Sequence, residues 1–207
     1  MGVKIGMLIV AALLAPLTLL TSAGAQTLAQ LEYGGPLGDI GVLGAASAPV
    51  TVIDYAAMTC GLCERFFVNT MPQVKQKYIA TGKVRFIFRE APISALDAAV
   101  FVVARCVGKE KYMSFIEALY ARASEWKTAQ PIGPLTRIAE KFGVTEAQMK
   151  TCLGDQKLVG HINAVREYES KVLHITQAPW FLFNGKPINY GFSSLDQFDE
   201  AVSKVSR

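Results

Sequence analysis

The sequence has few charged residues and few cysteines or histidines. Asp, Glu, Lys and Arg make up 18% of its 207 residues, against 51% for the hydrophobic types. Intrinsic disorder is excluded, because disordered segments combine low hydrophobicity with high net charge. The 17 Gly and 9 Pro follow no repeat, which excludes a collagenous or low-complexity chain. We therefore expect one or two globular domains.

No block of basic residues interrupts the chain. The formal charge of +4 is spread along the sequence, so no nucleic-acid partner is predicted. Four cysteines are too few for a disulfide-stapled miniprotein, and a core of this size folds without such staples. At least some of the cysteines are therefore expected to carry chemistry.

Long apolar runs are absent from the sequence beyond its amino terminus. At the amino terminus, Lys4 precedes an apolar run of 16 residues, 5–20. Residues 22–25 are small, with an Ala-x-Ala pattern. This arrangement predicts a signal peptide over residues 1–25, cleaved after Ala25. An uncleaved anchor is the alternative, although the run contains Pro16 and is shorter than the roughly 20 residues of a spanning helix. Export places the cysteines in an oxidising compartment, where disulfides persist.

Hydrophobic periodicity divides the rest of the chain into segments. Residues 26–48 predict an extended leader with one edge strand. Residues 49–93 predict a buried strand, a helix over 60–80 kinked at Pro72, and a second strand. Residues 94–175 are helical in pattern and contain a capping box at Thr145. Residues 176–207 predict a hairpin around Asn184–Gly185 and a last helix capped at Ser194. This order predicts an α/β fold with an inserted helical domain.

Cys60 and Cys63 stand where the first predicted strand gives way to the helix. Two intervening residues in a first helical turn bring the two sulfur atoms close enough to bridge. Cys60 lies at the positive end of the helix dipole, beside unpaired backbone N–H groups that stabilise a thiolate. Cys63 falls on the apolar face of the helix. The pattern predicts disulfide exchange through a mixed disulfide on Cys60, with Cys63 as the resolving thiol.

Two other interpretations of this CxxC spacing stay open. One is half of a zinc site, although the other two cysteines stand singly in the sequence. The other is a purely structural local disulfide, although the position between strand and helix is typical of redox centres. We expect no metal site and no cofactor.

Asp54 lies in the buried strand, six residues before Cys60. A buried carboxyl beside a buried thiol has a raised pKa and can relay the proton of Cys63. A carboxylate at the solvent-facing end of the strand is the alternative. We expect the relay.

Further residues are expected to support the centre. Cys106 and Cys152 lie on apolar faces of two different predicted helices and are expected to form a second, structural disulfide; two inert buried thiols are the alternative.

Three apolar residues are expected to form a rim that contacts unfolded chains: Met58, Leu62 and Trp180.

The ordered set of motifs resembles the thioredoxin fold: a strand with Asp54, Cys60-Gly61-Leu62-Cys63 opening a helix, and a late Ala178-Pro179 before a hairpin. The helical insertion, residues 89–93 and residues 180–185 resemble the DsbA family of exported thiol-disulfide oxidoreductases, especially its alpha-proteobacterial members. The resemblance covers residues 49–205. It implies a cis Pro179 beside the cysteines, an Ala178 backbone that pairs with bound peptide, and Asp54 as the family's buried acid.

Three departures from the family pattern leave redox poise and substrate choice open. The Gly61-Leu62 dipeptide lacks the His of DsbA itself. Ala178 stands where Val or Thr is usual, and Met58-Thr59 replaces an aromatic-rich lead-in. None of these departures touches the exchange chemistry.

The function expected from the residues and the resemblance is that of a periplasmic thiol-disulfide oxidoreductase that introduces disulfides. Its expected partners are reduced or unfolded exported proteins and a DsbB-like, quinone-linked membrane oxidase. A reductase or isomerase of the same fold, supplied by a DsbD-like reductant, is the first alternative. A chaperone that holds a metal through the CxxC is the alternative from another class.

Overall fold

A computed structural model of the chain describes residues 2, 28–31, 33–188 and 191–206. Apart from Gly2, the predicted signal peptide lies outside the described residues, as do Asn189 and Tyr190 of the predicted hairpin. Within the described ranges, no helix is both long and apolar enough to cross a membrane.

Within the described residues, five strands form one mixed sheet. In chain order they are β1 (Gly41–Leu43), β2 (Val50–Ala56), β3 (Val84–Glu90), β4 (Trp180–Phe183) and β5 (Lys186–Pro187). Their order across the sheet is β1-β3-β2-β4-β5. The central pair, β2 and β3, is parallel, and the remaining neighbours are antiparallel. β1 is the edge strand predicted in the leader.

One helical stretch joins β2 to β3. It contains α2 (Gly61–Arg65), a π-helical turn (Phe66–Thr70), α3 (Met71–Val74) and a second π-helical turn (Lys75–Ile79). Pro72 lies in the first turn of α3, directly after the first π-helical turn. The predicted break in the helix therefore coincides with a change of helical geometry, as π-turns and prolines both interrupt the regular ladder.

The remaining helices lie before, between and after the strands. A short helix, α1 (Leu28–Leu31), lies in the leader, where the Gly-rich sequence gave no sign of it. The insertion between β3 and β4 and the carboxyl terminus contain α4 (Ala95–Cys106), α5 (Lys109–Ala121), α6 (Ala123–Trp126), α7 (Ile132–Glu140), α8 (Glu146–Leu153), α9 (Gln156–Lys171) and α10 (Leu195–Val205).

The sheet has a hydrophobic cluster on each face, and the alternation of β2 assigns its side chains between them. Val52 belongs to the larger cluster, which also contains Cys63 and the apolar faces of α4, α5 and α10. Ile53 and Tyr55 belong to the smaller cluster, which also contains Leu31 of α1. Asp54 is in phase with Val52, so its side chain faces the larger cluster.

Local sequence signals predicted the turn of the hairpin and the capping box. Asn184 and Gly185 both have positive φ, 47° and 76°, as a two-residue type I′ turn requires. Thr145 and Gln148 form the reciprocal capping box at the start of α8. Within the insertion, Cys106 and Cys152 are joined by a disulfide with a Cα–Cα distance of 6.2 Å.

Buried ion pairs tie the carboxyl end of β3 to its surroundings. Arg89 pairs with Asp39 of the leader at 2.5 Å, and Glu90 pairs with Arg105 of α4 at 2.7 Å. The Tyr112 hydroxyl also donates to Glu90, at 2.7 Å. These bonds fix the end of the sheet next to the loops described below.

Candidate active site

Cys60 caps the amino terminus of α2. Its backbone is extended, with φ −71° and ψ 122°, and its sulfur accepts a hydrogen bond from the backbone N–H of Cys63. The Sγ–N distance is 3.2 Å. The sulfur thus occupies the place of an N-cap oxygen, among backbone donors with no helical partner.

The helix terminus makes Cys60 acidic. Hydrogen bonding from the side chain of Cys63 is the largest influence and outweighs partial burial. The backbone N–H groups of Cys63 and Leu62 and the positive charge of Lys127 act in the same direction, and together they lower the pKa of Cys60 to about 6. Cys60 is therefore mostly thiolate at neutral pH.

Cys63 has the opposite character. Its side chain is fully buried, and burial is the largest of the causes that raise the pKa of the Cys63 thiol far above its usual value. The hydrogen bond to Cys60 and the charge of Asp54 raise it further. Both cysteines are reduced in this structure. The pair therefore consists of an accessible acidic thiol and a shielded weakly acidic one.

Asp54 of β2 is a buried carboxyl. It has no exposed surface, and neither of its carboxylate oxygens has a hydrogen-bond partner within the described ranges. Burial, and secondarily the charge of Cys60, raises the pKa of Asp54 well above its usual value. The solvent-facing alternative is wrong, because Asp54 points into the core beneath the helix that carries the cysteines.

A second loop closes over Cys60. The Ala178–Pro179 peptide bond is cis, and the Cys60 Sγ lies 3.3 Å from the Ala178 carbonyl oxygen, to which the thiol donates when it is protonated. β4 starts directly after this loop and pairs with β2. Pairing of these two strands therefore brings residues 118 positions apart into contact.

Asp97 holds the loop before Cys60 and was missed by sequence reasoning. Its carboxylate accepts the Thr59 backbone N–H at 2.7 Å and the Thr59 hydroxyl at 3.0 Å. It also accepts the Ser94 hydroxyl at 2.7 Å and the Ile93 backbone N–H at 3.2 Å. The Ser94-x-x-Asp97 spacing signals a helix start, but no sequence signal indicates Thr59 as a partner.

Two further residues of the insertion reach the centre. The buried Tyr120 hydroxyl donates to the Ala57 carbonyl at 3.1 Å, in the same loop. Lys127 pairs with Glu64 in the first turn of α2, at 2.7 Å. The insertion thus supplies hydrogen bonds and charge to a centre whose cysteines lie outside it.

The predicted apolar rim needs a correction. Met58 is fully buried and packs in the larger cluster, so it is not available to substrate. Met58 lies between Ala57 and Thr59, two residues before Cys60, and the sequence could not distinguish a rim position from a core position. Leu62 is 43% exposed beside Cys60, and Trp180 is half-buried against the smaller cluster.

No group of three or more His, Cys, Asp or Glu side chains in the described part of the chain is arranged to hold a metal ion. His161 is buried and accepts the Leu37 backbone N–H at 3.1 Å. Its imidazole therefore ties α9 to the leader.

The fold and the site define a thioredoxin-fold protein with a CxxC centre and a helical insertion. The chain belongs to the thioredoxin family, whose model matches residues 38–204. This confirms the fold class predicted from the sequence.

Proteins with similar sequences are named as protein-disulfide oxidoreductases or disulfide bond formation proteins. A Rickettsia bellii protein named as a protein-disulfide oxidoreductase is 29% identical over 79% of this chain and 64% of its own length. Disulfide bond formation protein D of Bacillus subtilis is 25% identical over 79% of this chain and 75% of its own length. This chain spans about three fifths of the length of the Rickettsia relatives that it matches.

Solved structures show the same likeness. The crystal structure of Wolbachia pipientis alpha-DsbA1 is 26% identical and superimposes with a TM-score of 0.73, covering 80% of this chain and 90% of that one. The BdbD structure from Bacillus subtilis, at 21% identity and a TM-score of 0.68 over 80% of this chain and 92% of its own, shares the fold. The predicted resemblance to DsbA-like proteins is confirmed.

Proposed function

We propose that this protein is an exported thiol-disulfide oxidoreductase that introduces disulfides into other exported proteins. The observation that carries the proposal is the asymmetry of the CxxC pair: Cys60 is half-exposed with its pKa lowered to about 6, and Cys63 is buried with its pKa raised. Such a pair has one attack point and one internal leaving group.

The exchange begins with the Cys60–Cys63 disulfide. A substrate thiolate attacks the Cys60 sulfur, a substrate–Cys60 bond forms, and the Cys60–Cys63 bond breaks. The electron pair leaves on the Cys63 sulfur, which takes up a proton. Asp54, whose pKa burial raises well above its usual value, is the proposed source of that proton and the acceptor in the reverse direction.

A second substrate thiolate then attacks the substrate sulfur of the mixed disulfide. The substrate disulfide forms and Cys60 leaves as a thiolate, so two electrons have passed to the protein. Backbone donors at the start of α2 stabilise that thiolate, which favours the forward direction.

We propose that the substrate binds as an extended strand along the second loop. Ala178 presents backbone groups beside the Cys60 sulfur, and Pro179 fixes the loop at this point. Main-chain pairing of this kind gives affinity with little sequence preference. Leu62 adds exposed apolar surface at the same place, which suits unfolded chains.

The cellular setting belongs to the same proposal. The signal-peptide pattern over residues 1–25 supports export to the periplasm, and the name of disulfide bond formation protein D, a relative from Bacillus subtilis, supports disulfide formation as the activity. Reoxidation needs a two-electron acceptor, for which we propose a DsbB-like, quinone-linked membrane oxidase. A DsbD-like reductant would serve if the protein works as a reductase.

Trapping of the mixed disulfide tests the proposal. Oxidised chain comprising residues 26–207 is mixed with reduced, unfolded ribonuclease A, and the products are analysed by mass spectrometry. We expect disulfide transfer to the substrate. In a second reaction the reduced Cys63→Ser variant is mixed with ribonuclease A that carries scrambled disulfides. Its Cys60 thiolate attacks a substrate disulfide and displaces a substrate thiolate, and the mixed disulfide is expected to accumulate because no Cys63 thiol is present to release it. Cys60→Ser is expected to form none.

A Cys106→Ala/Cys152→Ala variant is the matched control and is expected to transfer disulfides, because that pair lies outside the centre. Absence of exchange, together with stoichiometric metal on the reduced protein, would contradict the proposal in favour of a metal chaperone. If the reduced protein reduces substrate disulfides and the oxidised protein does not oxidise substrate thiols, the protein is a reductase.

A further inference from the structure

A pocket of about 320 Å³ lies beside the loop that leads into Ala178–Pro179. Its walls come from the turn after β3, from the last turns of α9 and from the segment before the cis peptide bond. The lining includes Arg166, Glu169 and Ser170 of α9 and residues 175–177. The pocket is therefore continuous with the strand along which we propose that substrate binds.

Glu169 is the unusual group in this pocket. The residue is 5% exposed, and its Oε1 atom has no hydrogen-bond partner within the described ranges. Burial, which outweighs the charge of Arg89, raises the pKa of Glu169 to about 9. At neutral pH Glu169 is therefore an uncharged carboxyl that offers one donor and one acceptor. A buried polar group left unpaired costs stability, which calls for a function.

The lining selects among the classes of side chain that could enter. A cation would meet Arg166 in the same wall and would require Glu169 to lose its proton. A carboxylate would meet Arg166 only where this residue is exposed to solvent, so their attraction is weak, and inside the pocket it would lose its hydration for one hydrogen bond from Glu169. A carboxamide carries no charge and offers an acceptor and a donor side by side, which match the donor and acceptor of a protonated carboxyl in a two-bond pair.

We propose that the pocket is a specificity site that binds an Asn or Gln side chain of the polypeptide paired with Ala178. The proposal rests on the proposed function and adds a substrate preference to it. Residues 175–177 directly precede Ala178, and neighbouring residues of an extended chain are about 3.3 Å apart with alternating side chains. A residue within three positions of the reactive cysteine therefore reaches the pocket.

Exchange kinetics with matched peptides test the pocket. Each peptide carries one cysteine and a single Gln, Leu, Lys or Glu at one of the three positions on either side of it. The readout is the ratio of second-order rates for Gln and Leu peptides. We expect a ratio of about fivefold or more at one position, as befits a buried hydrogen-bonded pair. Exchange with glutathione, which contains no Asn or Gln, tests the proposed function separately.

Two substitutions locate the preference. Glu169→Met is expected to reduce the ratio to about one, whereas Glu169→Gln, which keeps a donor and an acceptor, retains it. Ser170→Phe, at an exposed position of the rim, is expected to close the pocket and abolish the ratio without altering the core. Glu167→Met, at an exposed position of the same helix, is the matched control and keeps the ratio.

Each outcome decides the question. The site is supported if the unmodified protein prefers Gln and the preference disappears in Glu169→Met and Ser170→Phe. The preference must also remain in Glu167→Met. Three outcomes overturn the proposed specificity site, provided that glutathione exchange continues. They are no Gln preference at any position, a preference for Lys or Glu, and a Gln preference that survives Glu169→Met. Absence of glutathione exchange in the unmodified protein would instead overturn the proposed function.

Discussion

At the scale of single residues, the two cysteines differ because of their places in one helical turn. Cys60 lies where the backbone offers donors, and Cys63 lies three residues later on the face that packs into the core. The sequence predicts this difference, since strand, CxxC and apolar stripe are local signals. The unpaired state of the Asp54 carboxyl depends on which atoms surround it in the folded protein, and so only the structure reveals it.

The stability of the reduced protein should depend on pH through Cys60. Folding lowers the pKa of this thiol from its usual value near 9 to about 6, so between these values the unfolded chain binds one more proton. Relative to Cys60→Ser, the stability of the reduced protein should rise from pH 6 to pH 9, and the contribution should vanish as pH falls through 6. Urea unfolding under reducing conditions measures this. A difference that does not vary with pH would contradict it.

Asp54→Leu should make the protein more stable and less active. Leu has the same branched outline and the same number of side-chain heavy atoms as Asp, and it needs no hydrogen bonds. Removing the buried carboxyl should therefore raise the free energy of unfolding by about 1–3 kcal/mol. Loss of the proton relay should slow the steps in which Cys63 gains or loses a proton by about a hundredfold. Denaturation and stopped-flow exchange measure the two effects. Unchanged exchange kinetics would remove Asp54 from the mechanism.

At the scale of elements, the loop between β2 and α2 depends on the insertion. Local patterns predicted the strand, the helix, the break at Pro72 and the turn at Asn184–Gly185, because each has a short-range physical cause. They did not predict that Asp97, at the start of α4, holds Thr59. That contact joins residues 38 positions apart, and it arises only when α4 packs beside the loop.

Removal of the Asp97 carboxylate should loosen this loop. Asp97→Ala leaves the Thr59 N–H and hydroxyl without their acceptor, so we expect a loss of about 1–3 kcal/mol in stability. Amide exchange at Thr59 should become faster. Asp196→Ala, which removes an exposed acidic residue from the first turn of α10, is the control and should leave Thr59 exchange unchanged. Equal protection of Thr59 in both variants would show that Asp97 does not hold the loop.

At the scale of the whole molecule, the leader, sheet and insertion are joined through buried contacts. The order of segments predicted an α/β fold with an inserted helical domain, and the resemblance carried by the CxxC and Ala178-Pro179 motifs implied the thioredoxin fold. It did not predict the ion pairs of Arg89 and Glu90, because residues 83–89 indicate a strand whatever their partners are. Met58 shows the same limit: an apolar residue next to a redox centre fits a rim and a core equally well until packing decides.

The Cys106–Cys152 disulfide should stabilise the whole protein. The bond spans 46 positions, for which the chain-entropy relation gives about 4 kcal/mol. The double variant Cys106→Ala/Cys152→Ala should therefore unfold at lower denaturant concentration, with Cys60 and Cys63 oxidised in both proteins. Equal midpoints in the two proteins would show that the bond does not stabilise the fold.

The measurement that tests the central claim most directly is the reduction potential of the Cys60–Cys63 pair, titrated against glutathione with Cys106 and Cys152 changed to Ala. A thiolate stabilised by the start of α2 favours the reduced form, so the account predicts a value between that of thioredoxin, roughly −270 mV, and that of DsbA, roughly −120 mV. Such a value fits a donor of disulfides. A value at or below that of thioredoxin would contradict the account and make the protein a reductant.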